Sequence, residues 1–259
     1  MYCIDNEKCR FADFFGWCGD SMIPSYFEGH TGSAVAENEN DPRWVIIRTG
    51  DYYFAAGQPE NIADAVGGFI KPDSVVISEE MSWLDALREC GADAKAVTRY
   101  RTVYPGNGFS REKLEGFLRT DGCVSIKRAG EREYPLLRDC EWENAFVMNF
   151  ADMEDFLKNG LGYCVFVGDE LASAATAYGY YSGGFEIQIA TAPKFRRRGL
   201  AAAAGAAFLL ECLGQGKTPH WDAANMTSVR IAQRLGFEYG GEYTAIGVGE
   251  LRQHRTTHG

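Results

Sequence analysis

Three groups of residues in this chain have the types and spacing to do chemistry. Arg196, Arg197 and Arg198 stand directly before Gly199, Leu200 and Ala201, where a run rich in alanine and leucine begins. A helix starting there leaves its first N–H groups without intrahelical partners and adds partial positive charge at that end. With small side chains at Gly199 and Ala201 and guanidinium groups beside them, the turn suits a phosphate or pyrophosphate. Taken alone, the same residues also read as a solvated basic turn ahead of a core helix. Upstream, Glu186 sits in the alternating run Phe185-Glu-Ile-Gln-Ile189, a strand pattern with a carboxylate on the face opposite the apolar one. Partial burial would raise such a carboxylate toward working pH and make it a general base, whereas a solvent-side strand residue is the plainer alternative. Downstream, Asp222 is a second candidate base or an ion-pair partner, and Asn225 and Ser228 either contact a ligand or cap a helix.

The elements that must position these residues follow from the same pattern. The strand holding Glu186 ends at Pro193, and alanine-rich composition predicts a helix from Gly199 to about Leu213. A strand over Pro219 to Ala223, a helix from about Ser228 to Leu235 and a strand over Phe237 to Ile246 come next, with a polar, frayed end. Ahead of Glu186, the spacing predicts a strand (Val124 to Lys127) and helices over Arg132 to Cys140 and Met153 to Asn159. A hairpin of Gly162 to Val167 and Leu171 to Tyr180, turned at Gly168-Asp169, completes this part.

Arg196-x-x-Gly199-x-Ala201, placed after a strand and before a helix, resembles the acetyl-CoA signature of the GNAT superfamily of N-acetyltransferases. His220-Trp-Asp-Ala-Ala-Asn225, Ser228 and Arg234-Leu-Gly236-Phe237 resemble that superfamily's next strand, Asn-containing loop, following helix and last strand. The resemblance covers roughly Asp121 to Val248, and its wording is most similar to the group that includes zwittermicin A resistance acetyltransferases. It implies an α/β GNAT fold with a mixed, mostly antiparallel sheet flanked by helices. It also implies acetyl-CoA as acetyl donor, with no metal, and direct transfer to a primary amine of a small molecule such as an amino-polyol or an aminoglycoside-like antibiotic. Arg196 to Ala201 would hold the pyrophosphate, the strand edge at Ile189, Ala190 and Thr191 the pantetheine amides, and Asn225 and Ser228 the pantetheine arm. Glu186 would be the base, with Asp222 next in order. Many members carry a tyrosine four residues before the Gly-Phe; here that residue is Ala232, which leaves water, Tyr239 or Tyr243 to protonate the thiolate. A catalytically silent acyl-CoA-binding or regulatory protein is the alternative.

Residues 1 to about 120 read as a smaller α/β domain ahead of the acetyltransferase domain at 121 to 259. After an aromatic segment expected to form a short helix and turn, strands are predicted at Gly32 to Ala36, Trp44 to Arg48 and Tyr52 to Ala55. A helix from Pro59 to Val66, a strand at Ser74 to Ile77, a helix from Met81 to Cys90 and a strand from Ala94 to Tyr104 follow. Three strands, helix, strand, helix, strand is also the order assigned to the second domain from its second strand onward, so this one reads as a degenerate GNAT-like repeat or as an unrelated fold. Its equivalent turn, Ala55 to Glu60, has no basic residue. Ser110 to Thr120, with Ser110 as N-cap, is the expected connecting helix.

The net charge of -10 argues against a nucleic-acid partner, which needs a broad basic face, and fits a cationic amine acceptor. No signal-peptide pattern and no span of about 20 apolar residues is present, so the expectation is a cytoplasmic protein without membrane association. A homodimer is left open. The eight cysteines show no C-x-x-C spacing and read as reduced thiols.

Overall fold

The structure, a computed structural model, describes residues 1–118 and 122–251. The chain folds as two compact units, Met1–Thr98 with the chain from Tyr243 onward, and Arg99–Glu242. The division expected between residues 120 and 121, and the end of the connecting helix, lie outside the described residues.

The first unit opens with β1 (Tyr2–Cys3), a 3-10 helix (Lys8–Phe15) and α1 (Met22–Phe27), more structure than the expected helix and turn. Then come β2 (Ser33–Ala36), β3 (Trp44–Thr49), β4 (Tyr52–Gly57), α2 (Ala63–Gly68), β5 (Ser74–Ile77), α3 (Ser82–Glu89) and β6 (Ala92–Val103), which passes into the second unit after Thr98. The order is the one expected from the sequence, but α2 starts late. Asn61 is left-handed, with φ 57°, and this keeps Pro59 out of the helix. Neighbouring strands from β1 to β4 pair antiparallel, and β4 and β5 pair parallel. Beyond β5 lies the end of the strand Glu238–Leu251, with Ile246 opposite Val76. Trp44, Ile46, Tyr53, Ile62, Trp83 and Leu87 form the buried centre of this unit.

The second unit begins with the end of β6 and continues through α4 (Arg111–Phe117), β7 (Val124–Arg128), α5 (Tyr134–Arg138) and α6 (Met153–Asn159). Strands β8 (Gly162–Val167), β9 (Glu170–Tyr181) and β10 (Gly184–Thr191) follow, then a 3-10 turn (Pro193–Phe195) and α7 (Leu200–Gly214). The chain closes with β11 (Thr218–His220), β12 (Asp222–Ala223), α8 (Met226–Leu235) and β13 (Glu238–Leu251), which extends past the expected Ile246. Ser110 caps α4 as expected, its hydroxyl accepting the Lys113 N–H at 3.2 Å. Five strands form a sheet in the order β11-β10-β9-β8-β7, antiparallel except between β10 and β11. Helix α7 is apolar apart from Glu211 and mostly buried. At Gly205 a methyl group would come within 2.9 Å of both Ile189 on β10 and Leu235 on α8, so this glycine lets the three elements close together.

One expected element divides in two. The strand predicted over Pro219 to Ala223 is β11, paired with β10, and β12, paired with β6 through Asp222↔Arg101 and Ala223↔Tyr100. That division builds the site.

Candidate active site

The parallel pairing of β10 with β11 runs Gly184↔Thr218, Phe185↔Pro219, Glu186↔His220, and stops. Past Glu186, β10 stays paired with β9 as far as Thr191↔Ser173, while the other chain turns away at Asp222. The edge of β10 from Ile187 to Thr191 is therefore left beside a wedge, with backbone groups available to an extended ligand. Ser173 fixes the end of this edge: its hydroxyl donates to the Ala190 carbonyl at 2.7 Å and lies 2.8 Å from the Thr191 hydroxyl.

From the wedge the chain runs into the basic turn. Arg197 and Gly199 are both left-handed, at φ 63° and 81°, a backbone form that gathers successive N–H groups into an anion-binding concavity. Gly199 is the N-cap of α7 and brings no side chain to its first turn. Arg196 to Gly199 are exposed, Ala201 is half-buried and Leu200 anchors the turn in the core. Arg196 donates to the Thr191 carbonyl at 3.3 Å, tying the turn to the strand, and Arg198 lies over the Phe195 ring. The turn has the form of an anion site, with exposed guanidinium groups beside it.

Glu186 lies where the strands part. Phe185 stacks edge-on against Phe208 of α7, and Ile189 meets Gly205, so Glu186 and Gln188 project from the opposite face. The bulge beside Glu186 puts its extra residue, Tyr178, on β9, and β10 keeps its alternation. Asn149 donates to the Tyr178 carbonyl at 2.8 Å. Glu186 is only 9% exposed, which overturns the solvent-side reading, and its Oε1 accepts the Asp222 N–H at 2.8 Å. The Asp222 carboxylate is engaged by Arg99, whose Nε and Nη2 approach Oδ1 at 2.6 and 2.5 Å; the ion-pair reading of Asp222 holds.

His220, registered with Glu186, was not singled out from the sequence. Its Nε2 lies 3.0 Å from the Tyr181 hydroxyl, and burial lowers its pKa, so the imidazole stays neutral at pH 7. The available signal was the parallel pairing of β10 with β11, which aligns residues far apart in sequence.

The remaining candidates are spread out. Asn225 is an N-cap: its Oδ1 accepts the N–H groups of Thr227 and Ser228, both at 3.0 Å, and the residue is exposed while Ser228 is half-buried. Tyr239 is 46% exposed on β13, and Tyr243 belongs to the first unit. Ala232 is fully buried on α8. Cys212 is buried, with its pKa pushed up to about 12, and is no nucleophile.

The family model of the GNAT acetyltransferases matches residues 12–246. The chain belongs to that family. It is 31% identical over 226 residues to an uncharacterized N-acetyltransferase, YdfB, of Bacillus subtilis, covering 82% of this chain and 84% of the relative. Its fold is similar to a GCN5-related N-acetyltransferase-like protein from Streptococcus suis, with a TM-score of 0.86, 28% identity, and 95% and 99% of the two chains covered. A tandem GNAT protein from the clavulanic acid biosynthesis pathway shares the fold at a TM-score of 0.53 and 9% identity, over 97% and 98% of the chains. GNAT acetyltransferases use acetyl-CoA as acetyl donor.

In the first unit two strands also part after a short parallel pairing, and a side chain occupies the gap. Parallel pairing of β4 with β5 ends at Phe54↔Ile77. Gly57, three residues beyond as Ile189 is beyond Glu186, has its carbonyl taken by the Trp83 indole N–H at 3.0 Å. Trp44 donates to the Glu60 carbonyl at 2.8 Å and meets Trp83 edge-on at 6.3 Å.

Proposed function

We propose that this GNAT protein moves an acetyl group from acetyl-CoA to a primary amine of a small molecule, with the site in the second unit. The observation that carries this reading is the wedge at Glu186, which joins a buried carboxylate to an open strand edge and a basic helix start along one strand. Acetyl-CoA supplies an acetyl thioester. The backbone of Arg197 to Ala201 binds its pyrophosphate, with Arg196 and Arg198 alongside; the edge at Ile189, Ala190 and Thr191 takes the pantetheine amides, and Asn225 and Ser228 border the arm. Glu186 accepts the proton of the acceptor ammonium, directly or through one water. The amine then forms its bond to the acetyl carbon as the C–S bond breaks, and the proton that the nitrogen sheds passes through water to the departing thiolate, because Ala232 offers no hydroxyl and Tyr239 lies exposed. We place the acceptor among amino-polyols and aminoglycoside-like antibiotics, consistent with the acidic chain and the wording it shares with zwittermicin A resistance enzymes, and the reaction in the cytoplasm. Among the described residues no helix is long and apolar enough to cross a membrane.

Calorimetric titration with acetyl-CoA, with ATP as control, tests the cofactor end, and thiol release with a panel of polyamines and aminoglycosides tests the transfer. Glu186→Gln is expected to lower turnover at least about tenfold with cofactor affinity nearly unchanged. Acetyl-CoA binding without thiol release for any amine would favour the silent acyl-CoA-binding protein instead.

A further inference from the structure

The motifs that carry the resemblance begin only at about Asp121, although the family match spans residues 12–246, and the wall facing Glu186 is held by a residue that precedes those motifs. Arg99, near the middle of β6, is 7% exposed and grips Asp222 through two nitrogens on one oxygen. Two residues of β6 flank this grip: Arg101 is registered opposite Asp222, and the Thr102 hydroxyl donates to the Trp221 carbonyl at 2.7 Å. Together they fix Trp221 to Ala223 just where the chain leaves β11. The leaving itself frees the Asp222 N–H from the β10–β11 ladder, and that N–H is the donor to Glu186 Oε1. A buried carboxylate that accepts a backbone N–H is held in one orientation, and that bond is strongest to its ionised form.

We propose that Arg99 is a positioning residue for Glu186. Its hold on Asp222 sets the backbone N–H that orients the Glu186 carboxylate, so the N-terminal half of the chain supplies part of the transfer site. This rests on the reading of Glu186 as base. Among the described residues, pairing and hydrogen bonds put these ionisable groups on the elements beside Glu186: Asp222, Arg99 and Arg101 from the β12 and β6 side, His220 on β11, with Tyr181 beyond it, and the flanking Tyr178 and Tyr180 on β9, whose registered residue is Gly179. Arg99 acts on Glu186 through the geometry of the Asp222 amide, and a substitution that keeps the guanidinium's charge but not its fork should restore only part of the effect.

The test uses the full chain and needs no acceptor amine. Glu side-chain carboxyls are followed by carbon NMR as pH is varied, with the Glu186 signal assigned from Glu186→Gln, and the Asp222 amide is followed in the same samples. In the wild type the Asp222 amide proton should shift as Glu186 titrates. In Arg99→Gln that coupling should vanish and the Glu186 titration should move up by about one pH unit, with Arg99→Lys intermediate and acetyl-CoA affinity within about twofold of wild type in both. An Asp222→Asn variant, which keeps the backbone donor and a side-chain acceptor for Arg99, guards against loss of folding in Arg99→Gln: the residue-222 amide should still respond to Glu186, and loss of the neighbouring negative charge should move the Glu186 titration down. Unchanged Glu186 titration and an intact Asp222 response in the folded Arg99 variants would overturn the proposal. Failure of the wild type to bind acetyl-CoA would instead overturn the reading of the site, and the two outcomes are read from separate signals.

Discussion

His220 is the residue whose ionisation opposes its surroundings. Burial lowers its pKa below the ordinary value near 6.5, because the charged imidazolium loses its water. The unfolded chain therefore binds this proton more readily than the folded one. Stability from the neutral ring is fully present above pH 6.5 and is lost as the pH falls through that value toward the folded pKa. Each unit of depression is worth about 1.4 kcal/mol once fully expressed, which reads as several degrees of melting temperature. His220→Gln keeps a hydrogen-bonding group for Tyr181 and cannot gain this proton. Its melting temperature is expected to fall less than that of the wild type between about pH 7.5 and about pH 5. Parallel pH curves for the two proteins would show that His220 titrates the same in the folded and unfolded states. Glu186 was legible beside it because alternation alone fixes the face of a strand residue. Arg99 was not: it lies 123 positions from Asp222, and no local pattern signals a charge pair across such a distance.

At the scale of elements, the site depends on how closely β10 and β11 run before they part. Gly184 is the first parallel pair, and a methyl group there would meet the Thr218 carbonyl oxygen at 2.1 Å. That oxygen is backbone and cannot move without driving the strands apart. Gly184→Ala should cost about 1–3 kcal/mol in urea unfolding, the range for forcing extra volume into a packed site. Gly214, at the end of α7, where a methyl group would meet none of the described residues within 4 Å, is the control, and Gly214→Ala should be neutral or stabilise by up to about 1 kcal/mol. Equal effects would mean that the approach of β10 to β11 is not tight. Most elements were readable from periodicity and caps: Met153–Asn159 and Gly162–Val167 fall where the pattern puts them. The break at Trp221 was not, since Pro219 to Ala223 has the composition of one short strand, and its division is imposed by pairing partners elsewhere in the chain.

Across the whole molecule, the two units carry one strand order and two fates for the wedge. In the second unit, β10 leads into a basic turn and a fifteen-residue helix; in the first, β4 leads past Asn61 into six-residue α2, which has Asp64 in its first turn. A carboxylate there opposes a pyrophosphate. The wedge itself is closed by Trp83, fully buried on α3, whose N–H satisfies the Gly57 carbonyl that an extended ligand would otherwise use. A chain with one open wedge and one filled by its own indole should bind one acetyl-CoA, and calorimetry should return a stoichiometry near one per chain. Trp83→Ala should cost about 3–5 kcal/mol, as removal of a buried tryptophan does. It should leave that stoichiometry unchanged, since the first unit lacks the basic turn whether or not its wedge is filled. Added indole should recover part of the lost stability, because an apolar cavity of that size takes small apolar ligands. Two acetyl-CoA molecules per wild-type chain would mean that the first unit binds cofactor despite Trp83. A second site appearing only in Trp83→Ala would mean that the indole alone, and not the missing basic turn, keeps the first unit from binding.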